Sequence, residues 1–221
     1  MIRRPPRSTQ GVSSAASDVY KRQKELFLEG WDDLYPGMIE WVPRSSGGHV
    51  SAVNPKDMTI GNDSMQLKAN VINLIPHQTA SEITLKLGLA DKGGWCTVNN
   101  FTFESKSAPY VHIIGDSIDP GDMPKSAFAA NSQAKVAAAA IIALINEKEL
   151  PMPVFSNVCY SLLSSDYGIS INASYRSTDT KIRAIDGSGG TSPLGVSRKL
   201  RMQEARHARG WYKSITDETF F

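Results

Sequence analysis

The chain of 221 residues reads as an α/β protein, and three patterns predict it. Val111-His112-Ile113-Ile114 has the look of a short buried strand. It stops at Gly115-Asp116, and a loop through Met123-Pro124-Lys125-Ser126 delivers the chain to an alanine-rich helix expected over Lys125 to Glu147. Ahead of it, a helix and several short strands are separated by turn formers. Behind it, after Pro151-Met152-Pro153, come three more strands and a last helix.

Taken in order, Met1 to about Gln23 is basic and then rich in Ser and Ala, with no apolar periodicity and no apolar stretch of a secretory signal. It resembles translated adapter sequence, so residues 1–23 are expected to be a non-native, disordered leader, with the true N-terminus and any targeting signal lost. From Lys24, the residues Leu26, Phe27, Trp31, Leu34 and Tyr35 fall at helical spacing and end before Pro36-Gly37. Met38 to Val42, Val50 to Val53, Met58 to Ile60 and Leu67 to Leu74 read as strands, a series that suits the closing half of a nucleotide-binding α/β unit. Pro76 breaks the chain. Ser81 to Leu87 is a short helix, and Gly93-Gly94 leads into a strand at Trp95-Cys96-Thr97-Val98.

In the last part, Val158 to Leu163, Gly168 to Tyr175 and Lys181 to Ile185 read as strands. The glycine-rich loop Asp186 to Thr191 opens no helix, so it is a connector rather than a phosphate loop. Ser197 to about Thr216 is a helix with Arg198, Lys199, Arg201, Arg206, Arg209 and Lys213 on a basic outer face; Ala205, Ala208, Tyr212 and Ile215 lie on the other side. The expected domains are thus 24–78, 79–150 and 151–221.

Composition narrows the chemistry. Hydrophobic residues make up 41%, charged residues 21%, and the net charge is +2, which is not the clustered basic footprint of a nucleic-acid binder. The longest apolar run, Val136 to Ile145, falls well short of the ~20 residues needed to cross a bilayer and is expected to be a buried helix. Two cysteines and four scattered histidines give neither a disulfide framework nor metal-ligand spacing, so no metal is implied. No G-x-G-x-x-G follows a strand and no nucleophile elbow is present.

What remains is half of a cofactor site. A carboxylate at a strand's end suits the hydroxyls of a polyol, and a helix start favours partial negative charge; a flavin presents both features. Asn131, Ser132 and Gln133, in the helix's second turn, can reach the loop or a ligand.

The runs HIIGDSIDPGDMPKSAFAANSQAKVAAAAI, KELFLEGWDDLYPGMIEWV, GGWCTVNNFTFES, NVCYSLLSSDYGISINASYR and RGWYKSITDETFF resemble the flavin-binding subunit of flavocytochrome c sulfide dehydrogenase over Lys24 to Phe221. The resemblance implies an incomplete flavoprotein with two dinucleotide-binding domains of the FAD/NAD(P) type and a small α+β C-terminal domain. Residues 24–78 would end the second, NAD-like domain. Residues 79–150 would be the returning segment of the FAD domain, and 151–221 the C-terminal domain. The first βαβ unit, and the cysteine that tethers the flavin in this family, have no counterpart here.

By position, the resemblance makes Gly115, Asp116, Met123, Pro124, Lys125, Ser126 and Trp211 cofactor-binding and Cys159 catalytic. Asp116 would accept hydrogen bonds from the ribityl chain, or else satisfy backbone N–H groups of its own loop. The amides around Pro124 to Ser126 would face the pyrimidine edge of the ring, where the helix dipole favours charge developing on reduction. Lys125 would add a full charge there or lie at the surface. Cys159 matches the second member of a redox-active pair whose partner this chain lacks; otherwise it is packing, as Cys96 is. Trp211 would lie near the flavin, or pack in a core.

The implied protein uses FAD, oxidises sulfide to sulfur or polysulfide, reduces a c-type cytochrome subunit and resides in the periplasm, while this fragment alone is inactive. Two alternatives stay open. One is a sulfide:quinone oxidoreductase relative that uses its basic last helix at a lipid surface. The other is a docking fragment without activity.

Overall fold

The structure, a computed structural model, describes residues 14–150 and 152–220, with side chains from residue 21. These residues divide into two compact units: residues 35–77, and residues 14–34 with 78–220.

The smaller unit is a three-stranded antiparallel meander, β1 (Ala52–Asn54), β2 (Thr59–Asn62) and β3 (Met65–Lys68). Asn62, 5% exposed, ties its turns together. Its amide donates to the Gly47 and His49 carbonyls at 2.8 and 2.7 Å, and its oxygen accepts from the Ser64 and Met65 amides. Met38 to Val42, expected as a strand, is irregular apart from the turn at Met38. Among the described residues no strand pairs with it, and an apolar run outside a ladder gains nothing from extended pairing. Leu67 to Leu74 is likewise strand only as far as Lys68.

The larger unit starts with helix α1 (Ser14–Leu34). Disorder was expected as far as Gln23, but the helix reaches back to Ser14; residues 1–13 lie outside the described residues. No Pro or Gly interrupts the stretch between Ser14 and Glu29, so the amphipathic helix simply propagates backwards. Leu26 (1% exposed) packs with Tyr167 and Ile169 in a small core of its own, so α1 belongs with the later unit rather than with residues 35–77.

The centre of this unit is a hairpin of two 11-residue strands, β4 (Val154–Ser164) and β5 (Tyr167–Ser177), in register from Val154 opposite Arg176 to Ser164 opposite Tyr167. A bulge falls between Leu162 and Ser164. Strands β6 (Ile182–Ala184) and β7 (Gly190–Thr191) both pair antiparallel with β5. The glycine-rich loop thus connects two strands, as its sequence suggests. Helix α4 (Arg198–Phe220) crosses β5 at Gly168, where an added Cβ would lie 2.5 Å from the Ala205 amide nitrogen.

Arg201, expected on the basic outer face, is instead 1% exposed. It shares the inward stripe of Ala205 and Ala208, at i, i+4 and i+7. It can be buried because Glu29 (2.8 Å), Glu204 (3.2 Å) and the Pro193 carbonyl (2.8 Å) accept its protons. Tyr212, assigned inward, is 66% exposed.

The short helix α2 (Glu82–Lys86) follows its Ser81 cap as expected, and α3 (Ala127–Ile145) lies inside the range its sequence predicts. Two other expected strands are absent. Val111 to Ile114 contributes a single bridge, His112 to Glu104, and only Ile113 is buried. Trp95 to Val98 makes isolated bridges from Cys96 and Val98. The bridge between Cys96 and Ile118 is parallel; all named strand pairs among the described residues are antiparallel. The fold is therefore mixed helix and sheet, consistent with an α/β flavoprotein, but its sheets are antiparallel rather than dinucleotide-binding βαβ units.

The main core gathers Cys96, Phe103, Ile118, Met123, Ala129, Phe155, Tyr175 and Ile182, with Phe103 edge-on to Phe155 at 5.7 Å. Helix α3 is not wholly buried, contrary to expectation. Ala129, Gln133, Ala137, Ala140 and Ala143 face inward, whereas Ile142 and Ile145 are 63% and 76% exposed. By length and composition it is apolar enough to cross a membrane, a test that core helices of soluble proteins also pass.

Candidate functional site

The start of α3 organises the candidate residues. Ser126 is its N-cap, with extended backbone, and its Oγ accepts from the Ala129 amide at 3.0 Å. The hydroxyl donates in turn to Asn157 Oδ1 at 2.5 Å, and Asn157 Nδ2 donates to Cys159 Sγ at 3.2 Å. Phe155, Asn157 and Cys159 alternate along β4, so all three share the face that meets α3. Cys159 is half-buried and Asn157 only 2% exposed. Two expected site residues, one from a loop and one from a strand, are thereby brought together by a third that sequence reasoning missed. The strand was expected to begin at Val158, and starting it earlier would have put Asn157 on the Cys159 face.

Lys125, immediately before the cap, is turned back toward the preceding loop. Its Nζ donates to the carbonyls of Asp116 and Ile118, each at 2.6 Å, and lies 3.5 Å from the centre of the Trp95 ring. Burial pushes its pKa down to about 8, against the raising influence of Asp116, Asp119 and Cys96. The ammonium is half-buried and already engaged by two carbonyls and the Trp95 face. It braces the turn that carries Asp116 against the helix start.

Asp116 sits in a single 3₁₀ turn, Gly115–Ser117, and is exposed. Gly115 takes a left-handed φ of 72°, which a side chain would oppose, and its amide donates to Gln133 Oε1 at 2.7 Å. Gln133, 1% exposed, also donates to Met123 Sδ at 3.6 Å. Ser117 and Asp119 pair with the Cys96 backbone at 2.9 and 3.0 Å, fixing the turn from the other side. Met123 is a core residue at 2% exposure, and Pro124 is half-buried.

Trp211, half-buried on α4, stacks on Phe128 of α3 with centroids 5.8 Å apart and planes at 16°. It also meets Tyr160, next to Cys159, at 5.8 Å. The two cysteines are unalike: both are free thiols, but Cys96 is fully buried. Among the described residues, no group of His, Cys, Asp and Glu could hold a metal.

An exposed carboxylate thus lies in a turn braced against the capped start of α3, and the same start is tied through Asn157 to the Cys159 thiol on β4. Two stretches of the chain match known families. Residues 151–220 match the flavin-binding domain of flavocytochrome c sulphide dehydrogenase. Residues 12–76 match the central domain described as sulfide dehydrogenase (flavocytochrome c) flavoprotein chain. Together these cover more than half of the chain. The chain belongs to the flavoprotein family of flavocytochrome c sulfide dehydrogenase. The flavin-binding match carries the whole β4–β5 hairpin with Asn157 and Cys159, and Trp211 on α4. The central match starts at residue 12, inside the stretch read as a leader. Membership makes this a flavoprotein oxidoreductase family with a flavin cofactor, consistent with FAD, and with a cytochrome as partner.

Proposed function

We propose that the chain forms part of the flavin site of a sulfide dehydrogenase that oxidises sulfide to sulfur or polysulfide and passes electrons to a c-type cytochrome in the periplasm. The observation that carries this reading is the convergence on one helix start of the Asp116 turn, through Lys125, and of Cys159, through Asn157. A bound flavin supplies an acceptor for an electron pair. Asp116 would hold its ribityl hydroxyls by accepting their hydrogen bonds, with Gly115 and Pro124 shaping the approach. The Lys125 and Ser126 amides lie at the electropositive helix end. Trp211, held by Phe128 and Tyr160, forms an aromatic wall.

At Cys159 the chemistry is thiol exchange. Hydrosulfide attacks a disulfide between Cys159 and a cysteine from outside this chain. The S–S bond breaks, one sulfur leaves as thiolate, and the other carries the new S–SH group. Cys96 cannot be the second cysteine without rearranging the core that buries it. The chain by itself therefore binds flavin but does not turn over sulfide.

The test is a titration of FAD into the purified chain, followed by flavin fluorescence anisotropy. Saturable binding, weakened several-fold in Asp116→Ala, is the expected result. Absence of binding, or equal binding by Asp116→Ala, overturns the assignment.

A further inference from the structure

We infer that Asn157 is a positioning residue that aims a hydrogen-bond donor at the Cys159 sulfur and so orients it for exchange. The inference rests on the reading of Cys159 as the sulfur that exchanges.

The direction of the hydrogen bonds carries the argument. The Ala129 amide can only donate, so the Ser126 oxygen accepts from it at 3.0 Å. The Ser126 proton is then directed to Asn157 Oδ1 at 2.5 Å, which leaves the Asn157 amine to face Cys159 Sγ at 3.2 Å. Each link donates toward the sulfur, so the positive end of α3 is relayed to a thiol that does not itself stand at the helix end. With Asn157 at 2% exposure, water does not compete for its amine.

Such an arrangement gives the sulfur a fixed donor to accept from, so negative charge that develops on it during exchange meets a preorganised partner. It also fixes the Cys159 rotamer toward α3. In the proposed exchange, the same contact stabilises the charge on Cys159 when it is the sulfur that leaves.

Asn157→Asp tests this in the full 221-residue chain, because it keeps size and shape while replacing the donor with an acceptor. The readout is the rate of iodoacetamide alkylation at Cys159, measured by mass spectrometry on the peptide that contains it, at neutral pH. Core-buried Cys96 serves as the unreactive reference. Losing the donor aimed at the sulfur is expected to slow alkylation about ten-fold. Ser126→Ala, at the relay's origin, slows it in the same direction by a smaller factor, and provides the test if Asn157→Asp does not fold. A purely structural Asn157 would leave the rate unchanged or raise it by loosening the hairpin. Wild-type rates in both variants, or in folded Ser126→Ala alone, overturn the inference. The readout involves neither flavin nor sulfide. A slowed thiol in a chain that binds no FAD would therefore sink the proposed function alone.

Discussion

Lys125 Nζ donates to the Asp116 carbonyl at 2.6 Å, a contact that helps hold the carboxylate-bearing turn against the start of α3. With the Ile118 carbonyl and the Trp95 face taking its remaining valences, Lys125 is an internal brace. Its worth is geometric: the turn carrying Asp116 has few other polar ties to the helix, chiefly the Gly115 to Gln133 bond.

The depressed Lys125 pKa of about 8, against an ordinary 10.5, has a definite consequence for stability. Between these values the unfolded chain holds the lysine proton and the folded chain does not, so stability rises with pH across that window. A neutral amine still has two N–H groups for its two carbonyls. Because the side chain is only half-buried, the gain is on the order of 1 kcal/mol after screening. Urea melts at pH 7.5 and 10 should show the gain in wild type and its loss in Lys125→Met.

Ser126→Ala removes the cap of α3 as well as the relay to Cys159. A lost N-cap costs about 1 kcal/mol, a fall of about 2–4 °C in Tm for a chain of this size. Differential scanning calorimetry measures it, and Ser126→Thr should retain most of the stability.

Gly168→Ala places a methyl group 2.5 Å from the Ala205 amide nitrogen, where α4 crosses β5. Backbone stands on both sides, so the helix must move. The cost is about 2 kcal/mol, read as a lower urea midpoint.

Arg201→Ala leaves Glu29 and Glu204 facing each other across a buried gap. Removing one partner of such a cluster costs about 3–5 kcal/mol. Arg201→Ala combined with Glu29→Gln should recover part of it, since one of the stranded charges goes too. Chemical denaturation of both variants measures the coupling.

The sequence made the α3 start legible because Ser126 precedes an uninterrupted run of strong helix formers, and local chemistry decides such a boundary. Val158 to Leu163 and Gly168 to Tyr175 were legible as strands, though neither their full 11-residue lengths nor their pairing as a hairpin was. Met38 to Val42 and Val111 to Ile114 carry equally good strand composition, but the first joins no ladder among the described residues and the second pairs with residues 103–105 through a single bridge, and pairing is not a local property. Arg201 was misassigned because charge was weighed above its helical phase with Ala205 and Ala208. Asp116, Lys125 and Cys159 stood out as site candidates, but Asn157 was missed because the strand was begun at Val158, and Trp95, the ring under Lys125, comes from a distant segment. No local pattern announces the Trp95 contact.

The central claim is that the Asp116 turn, the α3 start and Cys159 bound one flavin site. Protection of Cys159 by FAD tests it most directly. Iodoacetamide alkylation of the chain is timed with and without FAD at a concentration that saturates the anisotropy signal. The account predicts that bound FAD slows modification of Cys159 several-fold, and that chain already alkylated at Cys159 binds FAD more weakly. An alkylation rate indifferent to saturating FAD would place the flavin elsewhere and contradict the site.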